Sequence, residues 1–240
     1  MISTLFHIFL WSHICAGAVG LVTFWVPIFT RKGSADHVRI GRIFSYCMLA
    51  TGTFAIGIST CTLIDPLGTH PHIADVALVS GIFGWMMIYL AILTVNLAWY
   101  GLQCIRNRRD HSGNAEWRNV SLQYIVMALA LNNAVQGFLI DQVLMMGISI
   151  VGIATGVTNL RFIYGTPSRV SWQLEHVKGL VGAGISVYTA FLAFGAVRLV
   201  PELALSPVLW AIPLVTGLAI ILYQWRVILL RQPHPRSAPA

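Results

Sequence analysis

Long apolar runs recur along the whole chain, and each is long enough to cross a membrane as a helix. A bilayer core about 30 Å thick needs about 20 apolar residues in a helix, so a run of about 18 or more is a candidate span. The sequence contains seven such runs, at residues 5–30, 40–64, 76–104, 120–140, 143–163, 172–197 and 207–230. We therefore predict an all-α integral membrane protein, a polytopic seven-transmembrane-helix bundle.

The charge content agrees with this fold class. Only 10% of the residues are charged, whereas a soluble domain has about a quarter. The net charge of +7 comes from short loops between spans, so it does not indicate a nucleic-acid partner. We expect one membrane domain over residues 1–230, with the lipid bilayer as its main partner. The Pro-rich residues 231–240 are expected to form a disordered tail.

Basic residues fall in alternate connections, and this pattern predicts the orientation. The loops after the first, third and fifth runs contain Arg, and the first also contains Lys32, whereas residues 65–75 contain neither residue type. The positive-inside rule then places the N-terminus outside and the C-terminus in the cytoplasm. His70 is accordingly expected on the extracytoplasmic side and Arg108 on the cytoplasmic side.

Polar side chains at membrane depth are costly, so each is a candidate for function. One such set lies in the predicted outer half and could line a pocket open to the exterior: His13, Asn133, Gln136 and Asp141. A hydrogen-bonded His13–Asp141 pair would respond to pH near the histidine range. The alternatives are amides that only join helices, Asp141 as a helix cap, and His13 bonded to a backbone carbonyl.

A second histidine pair lies in the loop after the second run. His70 and His72 form a His-x-His pattern with Asp65 and Asp75 nearby, and imidazole with carboxylate suits copper or zinc. We predict a metal site here, with ordinary loop histidines as the alternative.

A third polar set lies at the predicted inner side, where it could bind a headgroup, an anion or a metal: His37, Arg42, Asn159, Glu175 and His176. An Arg42–Glu175 contact is expected to fix the first loop against the bundle. The alternative is a salt-bridged interfacial layer with Lys178 extending to the headgroups. His176 and Gly179 share one side of their helix with other small residues, which predicts close helix packing.

Four segments resemble a group of predicted bacterial membrane proteins of unknown function: HICAG, RKGSADHVRIGR, EHVKGLVGAGISVYTAF and PVLWAIPLVTG. The matching positions are His13, Lys32, Gly33, His37, Gly41, Arg42, His176 and Thr189 to Phe191. The resemblance implies a location in the cell inner membrane. It marks His13, His37 and His176 as candidate functional residues, and it implies no reaction.

Three functions are compatible with these features. The first is a membrane protein that binds a metal, haem or quinone-like ligand through intramembrane histidines, with redox activity as one outcome. The second is a transporter or channel for a small solute along the polar side of the fourth run. The third is a non-catalytic scaffold or partner subunit.

His13 and His176 lie in opposite halves of the membrane, about 10–15 Å apart by helix rise, so they are not expected to share one ion.

Overall fold

The computed structural model describes residues 1–195 and 207–231. Within these ranges the chain is helical without strands, and seven helices are long and apolar enough to cross a membrane. We number these spans from first to seventh: Ile2–Phe29, Ala35–Ile64, Val76–Arg106, Trp117–Leu139, Val143–Tyr164, Ser171–Gly195 and Leu209–Leu230. The predicted all-α seven-span bundle is therefore confirmed. The predicted end of the sixth span at residue 197, and residues 232–240 of the predicted tail, lie outside the described residues.

Short connections between long helices make consecutive spans antiparallel, so the bundle has two distinct ends. The loops at residues 30–34, 107–116 and 165–170 lie at one end, which we call the basic end. The N-terminus, the loop at residues 65–75 and the turn at residues 140–142 lie at the opposite end. The positive-inside rule predicts that the basic end is cytoplasmic.

The third span lies at the centre of the bundle and packs against the second, fourth and sixth spans. Its Tyr89 and Ala98 are fully buried, and the Tyr89 hydroxyl donates to the carbonyl of Ile148 at 2.8 Å. The first span packs mainly on the second, the fourth on the fifth, and the seventh on the sixth. The core therefore forms around the third span, and the outer spans present a large surface to their surroundings.

That outward surface is apolar. Large hydrophobic side chains such as Val22, Phe138 and Val143 are more than 70% exposed. A soluble protein rarely exposes so many large apolar side chains, whereas a bilayer solvates them and demands helices whose backbone groups are bonded internally. The exposed apolar surface and the helix lengths together indicate an integral membrane protein.

The loop between the first and second spans has hydrogen-bonded helix ends on both sides. The Lys32 ammonium group donates to the carbonyls of Pro27 (2.7 Å) and Ile28 (2.9 Å), which have no partner within their own helix end. Gly33 adopts a φ of 80°, a conformation that glycine tolerates best. The Ser34 hydroxyl then accepts from the backbone N–H of His37 at 3.3 Å and begins the second span. This turn therefore fixes the position of His37 in the first turn of the second span.

Candidate functional site

Three histidines in the membrane-spanning helices share one hydrogen-bonding arrangement. The Nδ1 atom lies 2.9 Å from the Thr51 carbonyl in His13, 3.2 Å from the Pro27 carbonyl in His37, and 3.0 Å from the Gly101 carbonyl in His176. Because a carbonyl oxygen can only accept, each Nδ1 must carry the hydrogen. In the neutral ring Nε2 is then unprotonated, so its lone pair is free to bind a metal or accept a hydrogen bond.

His176 is positioned by an unusually close contact between the third and sixth spans. Gly179, one turn after His176, lies against the backbone of Gly101, the residue whose carbonyl accepts from His176. Only residues without a side chain allow two helix backbones to come this close. The close packing predicted for the Gly179 side of this helix is therefore present, and it brings the His176 ring to the Gly101 carbonyl.

His37 and Lys32 lie within electrostatic range of His176. We call Lys32, His37 and His176 the histidine cluster. The Pro27 carbonyl accepts from both Lys32 and His37, so the end of the first span orients two members of the cluster. Partial burial lowers the pKa of Lys32, and the positive charge of Arg231 lowers it further. The cluster thus combines the loop and first turn of the second span with the start of the sixth span, two segments that are far apart in the sequence.

Glu175 belongs to a separate set of contacts beside this cluster. Its carboxylate forms an ion pair with Lys178 and accepts from the Tyr100 hydroxyl at 2.6 Å. Both members of the ion pair are largely buried. The predicted Arg42–Glu175 contact is not formed among the described residues, because Glu175 turns toward the third span. The ion pair instead resembles the alternative, a salt-bridged layer that includes Lys178.

The predicted outer-pocket residues form no hydrogen bonds with one another in the described part of the chain. The His13 ring donates to the backbone carbonyl of Thr51 in the second span. This contact agrees with the alternative expected from the sequence, a histidine bonded to a backbone carbonyl. Asn133 is fully buried and donates to the Met145 carbonyl (2.8 Å) and the Ser149 hydroxyl (3.0 Å), which joins the fourth and fifth spans. Gln136 is half-buried, and Asp141 occupies the tight turn between these spans with a φ of 57°.

His70 is packed as a structural side chain at the opposite end. Its ring lies 4.4 Å from that of Phe83 and 5.8 Å from that of Phe6, measured between centroids, and 6.1 Å from that of His72. Burial lowers the pKa of His70, and the charge of His72 lowers it further. No group of three His, Cys, Asp or Glu side chains suited to one metal ion occurs within residues 1–195 and 207–231. The metal site predicted at His70 and His72 thus gains no third ligand from the described residues.

A fully buried polar contact that joins three spans was not singled out from the sequence. Gln123 of the fourth span exchanges hydrogen bonds with Asn96 of the third span at 2.7 and 3.0 Å, and it accepts from Asn159 of the fifth at 2.9 Å. All three amides are fully buried. Asn159, predicted in the inner layer, takes part in this amide triad. The signal in the sequence was the presence of intramembrane amides in three successive spans, although the fourth span alone carries five of them.

Comparison with known proteins finds no relative of this chain. No protein-family model matches the chain, and no curated protein or solved structure is similar to it. The histidine cluster is therefore judged on its own chemistry. It combines two imidazoles with fixed tautomers and one ammonium group.

Proposed function

We propose that this integral membrane protein binds a haem through His37 and His176 at the basic end of the bundle. The observation that carries the proposal is the pair of Nδ1–H bonds to the carbonyls of Pro27 and Gly101. Histidines that bind metals usually donate their other ring N–H to a backbone carbonyl or carboxylate, which fixes the ring and its tautomer. Both histidines of the pair have this arrangement.

The composition of the cluster favours haem over a bare metal ion. Closed zinc sites need four protein ligands, and catalytic ones need three, whereas the described residues supply two imidazoles and no third ligand. Two imidazoles suffice for the axial positions of a haem iron. Lys32 would repel a bare divalent ion, whereas it would attract the carboxylates of the haem propionates.

The roles of the protein residues follow from these contacts. His37 and His176 would donate their Nε2 lone pairs to the iron, while the carbonyls of Pro27 and Gly101 keep the rings oriented. Lys32 would pair with a propionate. With both imidazoles bound to the iron, the haem would supply electron transfer.

The transport hypothesis has less support. It depended on the polar side of the fourth span, where Asn133 uses its amide to bond the fifth span. Such bonds are the usual role of amides in membrane helices. If the protein binds neither haem nor a metal ion, the hypothesis of a non-catalytic scaffold or partner subunit remains.

The absorbance spectrum and metal content of the full-length protein, purified from cells supplied with a haem precursor, test the proposal. We expect a Soret band and iron in a constant ratio to protein. Stoichiometric copper or zinc without a Soret band would replace haem by a metal ion. Absence of a Soret band and of any metal would contradict histidine–metal binding as a whole.

We also propose that the chain belongs to the bacterial group it resembles and lies in the cell inner membrane, with the basic end in the cytoplasm. The alternation of basic loops supports this orientation. A cysteine at position 70 should react with an impermeant thiol reagent in intact cells, and one at position 108 should not. Labelling at position 108 alone would reverse the orientation.

A further inference from the structure

A groove at the basic end, separate from the histidine cluster, lies between the fifth, sixth and seventh spans. Its volume is about 320 Å³, and its wall includes Arg161, Leu174, Glu175, Lys178 and Trp225. Loop residues 165–167 close one side of it. The groove therefore combines charged groups with apolar side chains near the ends of these three spans.

The charges in this groove leave a positive excess. Glu175 is neutralised by its ion pair with Lys178 and accepts a hydrogen bond from the Tyr100 hydroxyl. Arg161, in the last turn of the fifth span, is exposed and forms no ion pair with any residue in the described part of the chain. One guanidinium group is thus available to an anion, with the Lys178 ammonium in the same wall.

Hydrogen bonds between neighbouring spans hold the side chains that line the groove. The Lys178 ammonium group donates to the Thr158 hydroxyl at 3.4 Å, which links the sixth span to the fifth. The Trp225 indole N–H donates to the Leu174 carbonyl at 2.9 Å, which links the seventh span to the sixth. These bonds fix the ammonium group and the indole ring, so the wall of the groove is preorganised rather than assembled by a ligand.

We infer that this groove binds the headgroup of an anionic phospholipid. The phosphate would lie at Arg161, whose planar guanidinium matches two phosphate oxygens and whose charge is not neutralised by the Glu175–Lys178 ion pair. The acyl chains would pass along Leu174 and Trp225 toward the bilayer. A free phosphate ion would use the same cations but would leave this apolar wall without a partner. Basic pockets between spans at the cytoplasmic side are typical sites for anionic headgroups.

Lipid retention by the purified full-length protein tests this inference. The protein in neutral detergent is mixed with equal amounts of phosphatidylglycerol and phosphatidylcholine, and bound lipid is measured by native mass spectrometry. We expect preferential retention of phosphatidylglycerol. Arg161→Gln should lower that preference about fivefold, the equivalent of about 1 kcal/mol for one basic residue at an anionic surface. Arg108→Gln, an exposed arginine at the same end, should leave the preference unchanged.

A second measurement separates lipid from phosphate and from misfolding. Phosphatidylglycerol should raise the melting temperature of the wild type more than that of Arg161→Gln, and an excess of inorganic phosphate should not displace the lipid. Equal retention of the two lipids, an unchanged Arg161→Gln variant, or full displacement by phosphate would each overturn the inference. Haem content does not enter this test, so its outcome is independent of the proposed function.

Discussion

Gly179 of the sixth span lies directly against Gly101 of the third. A Cβ atom on Gly179 would be 2.8 Å from the Gly101 Cα and 2.9 Å from the Leu97 carbonyl oxygen. The Gly101 carbonyl accepts the hydrogen bond from His176. The close approach of two glycines therefore determines where one of the candidate haem ligands lies.

The Gly179–Gly101 contact should be sensitive to one added methyl group. Gly179→Ala would push backbone against backbone, and overpacking of this kind typically costs about 1–3 kcal/mol. Gly147→Ala is the matched control, because a Cβ at Gly147 has no neighbour within 4 Å and alanine favours a helix. Denaturation in mixed detergent micelles should show a loss of stability for Gly179→Ala only. Equal stabilities would mean that the two spans can separate without cost.

The amide triad around Gln123 should contribute more to stability than the polar side of the fourth span. Gln123→Met removes the partner of Asn96 and Asn159, and unpaired buried amides cost about 1–3 kcal/mol in total. Gln136→Met makes the same chemical change on the same helix at a half-buried side chain, and we expect an effect within about 0.5 kcal/mol. If Gln136→Met instead lost more stability than Gln123→Met in the same micelle denaturation, the prediction would be contradicted. The polar side of the fourth span would then again be a candidate site.

The ion pair of Glu175 can be identified by double-mutant cycles. Glu175→Gln and Lys178→Gln remove two contacting and largely buried groups, so their combined effect should differ from the sum by about 1 kcal/mol or more. Glu175→Gln and Arg42→Ala should add within about 0.5 kcal/mol, because Glu175 bonds to other partners. Coupling to Arg42 instead of Lys178 would support the contact first expected from the sequence.

His70 should make stability depend on pH at the opposite end. Its folded pKa lies below the usual value near 6.5 because of burial and the charge of His72. The unfolded chain therefore binds the proton more readily, and stability is complete above about pH 6.5 and falls as the pH decreases toward the folded pKa. His70→Gln should remove part of this decrease, by about 2 °C or less in melting temperature between pH 7.5 and 5. The exposed His7→Gln variant is the control, and an identical pH profile for all three proteins would contradict the prediction.

The helices were predictable because membrane thickness alone sets their length and composition. The seven predicted runs correspond to the seven spans, although the second begins at Ala35 and not at residue 40, since Ser34 caps it. Charged residues near a helix end do not interrupt the helix, and hydropathy cannot locate such a boundary.

Polar contacts were less predictable because they depend on how each helix rotates about its axis. The sequence grouped Glu175 with Arg42, whereas the rotation of the sixth span turns Glu175 toward Tyr100. Gln123 was not singled out although it bonds two other spans. The sequence predicted that His37 and His176 lie on the same side of the membrane. It could not predict that each ring donates to a backbone carbonyl, because this depends on the rotation of the helices.

Haem content of His176→Gly and His37→Gly, measured with and without added imidazole, tests the haem proposal most directly. Each variant should lose most of the Soret absorbance of the wild type, and imidazole should restore it by occupying the vacated ligand position. His72→Gly, an exposed histidine at the opposite end, should retain the wild-type spectrum. Wild-type haem content in both cluster variants, or a loss that imidazole does not reverse in a folded protein, would contradict axial ligation by His37 and His176.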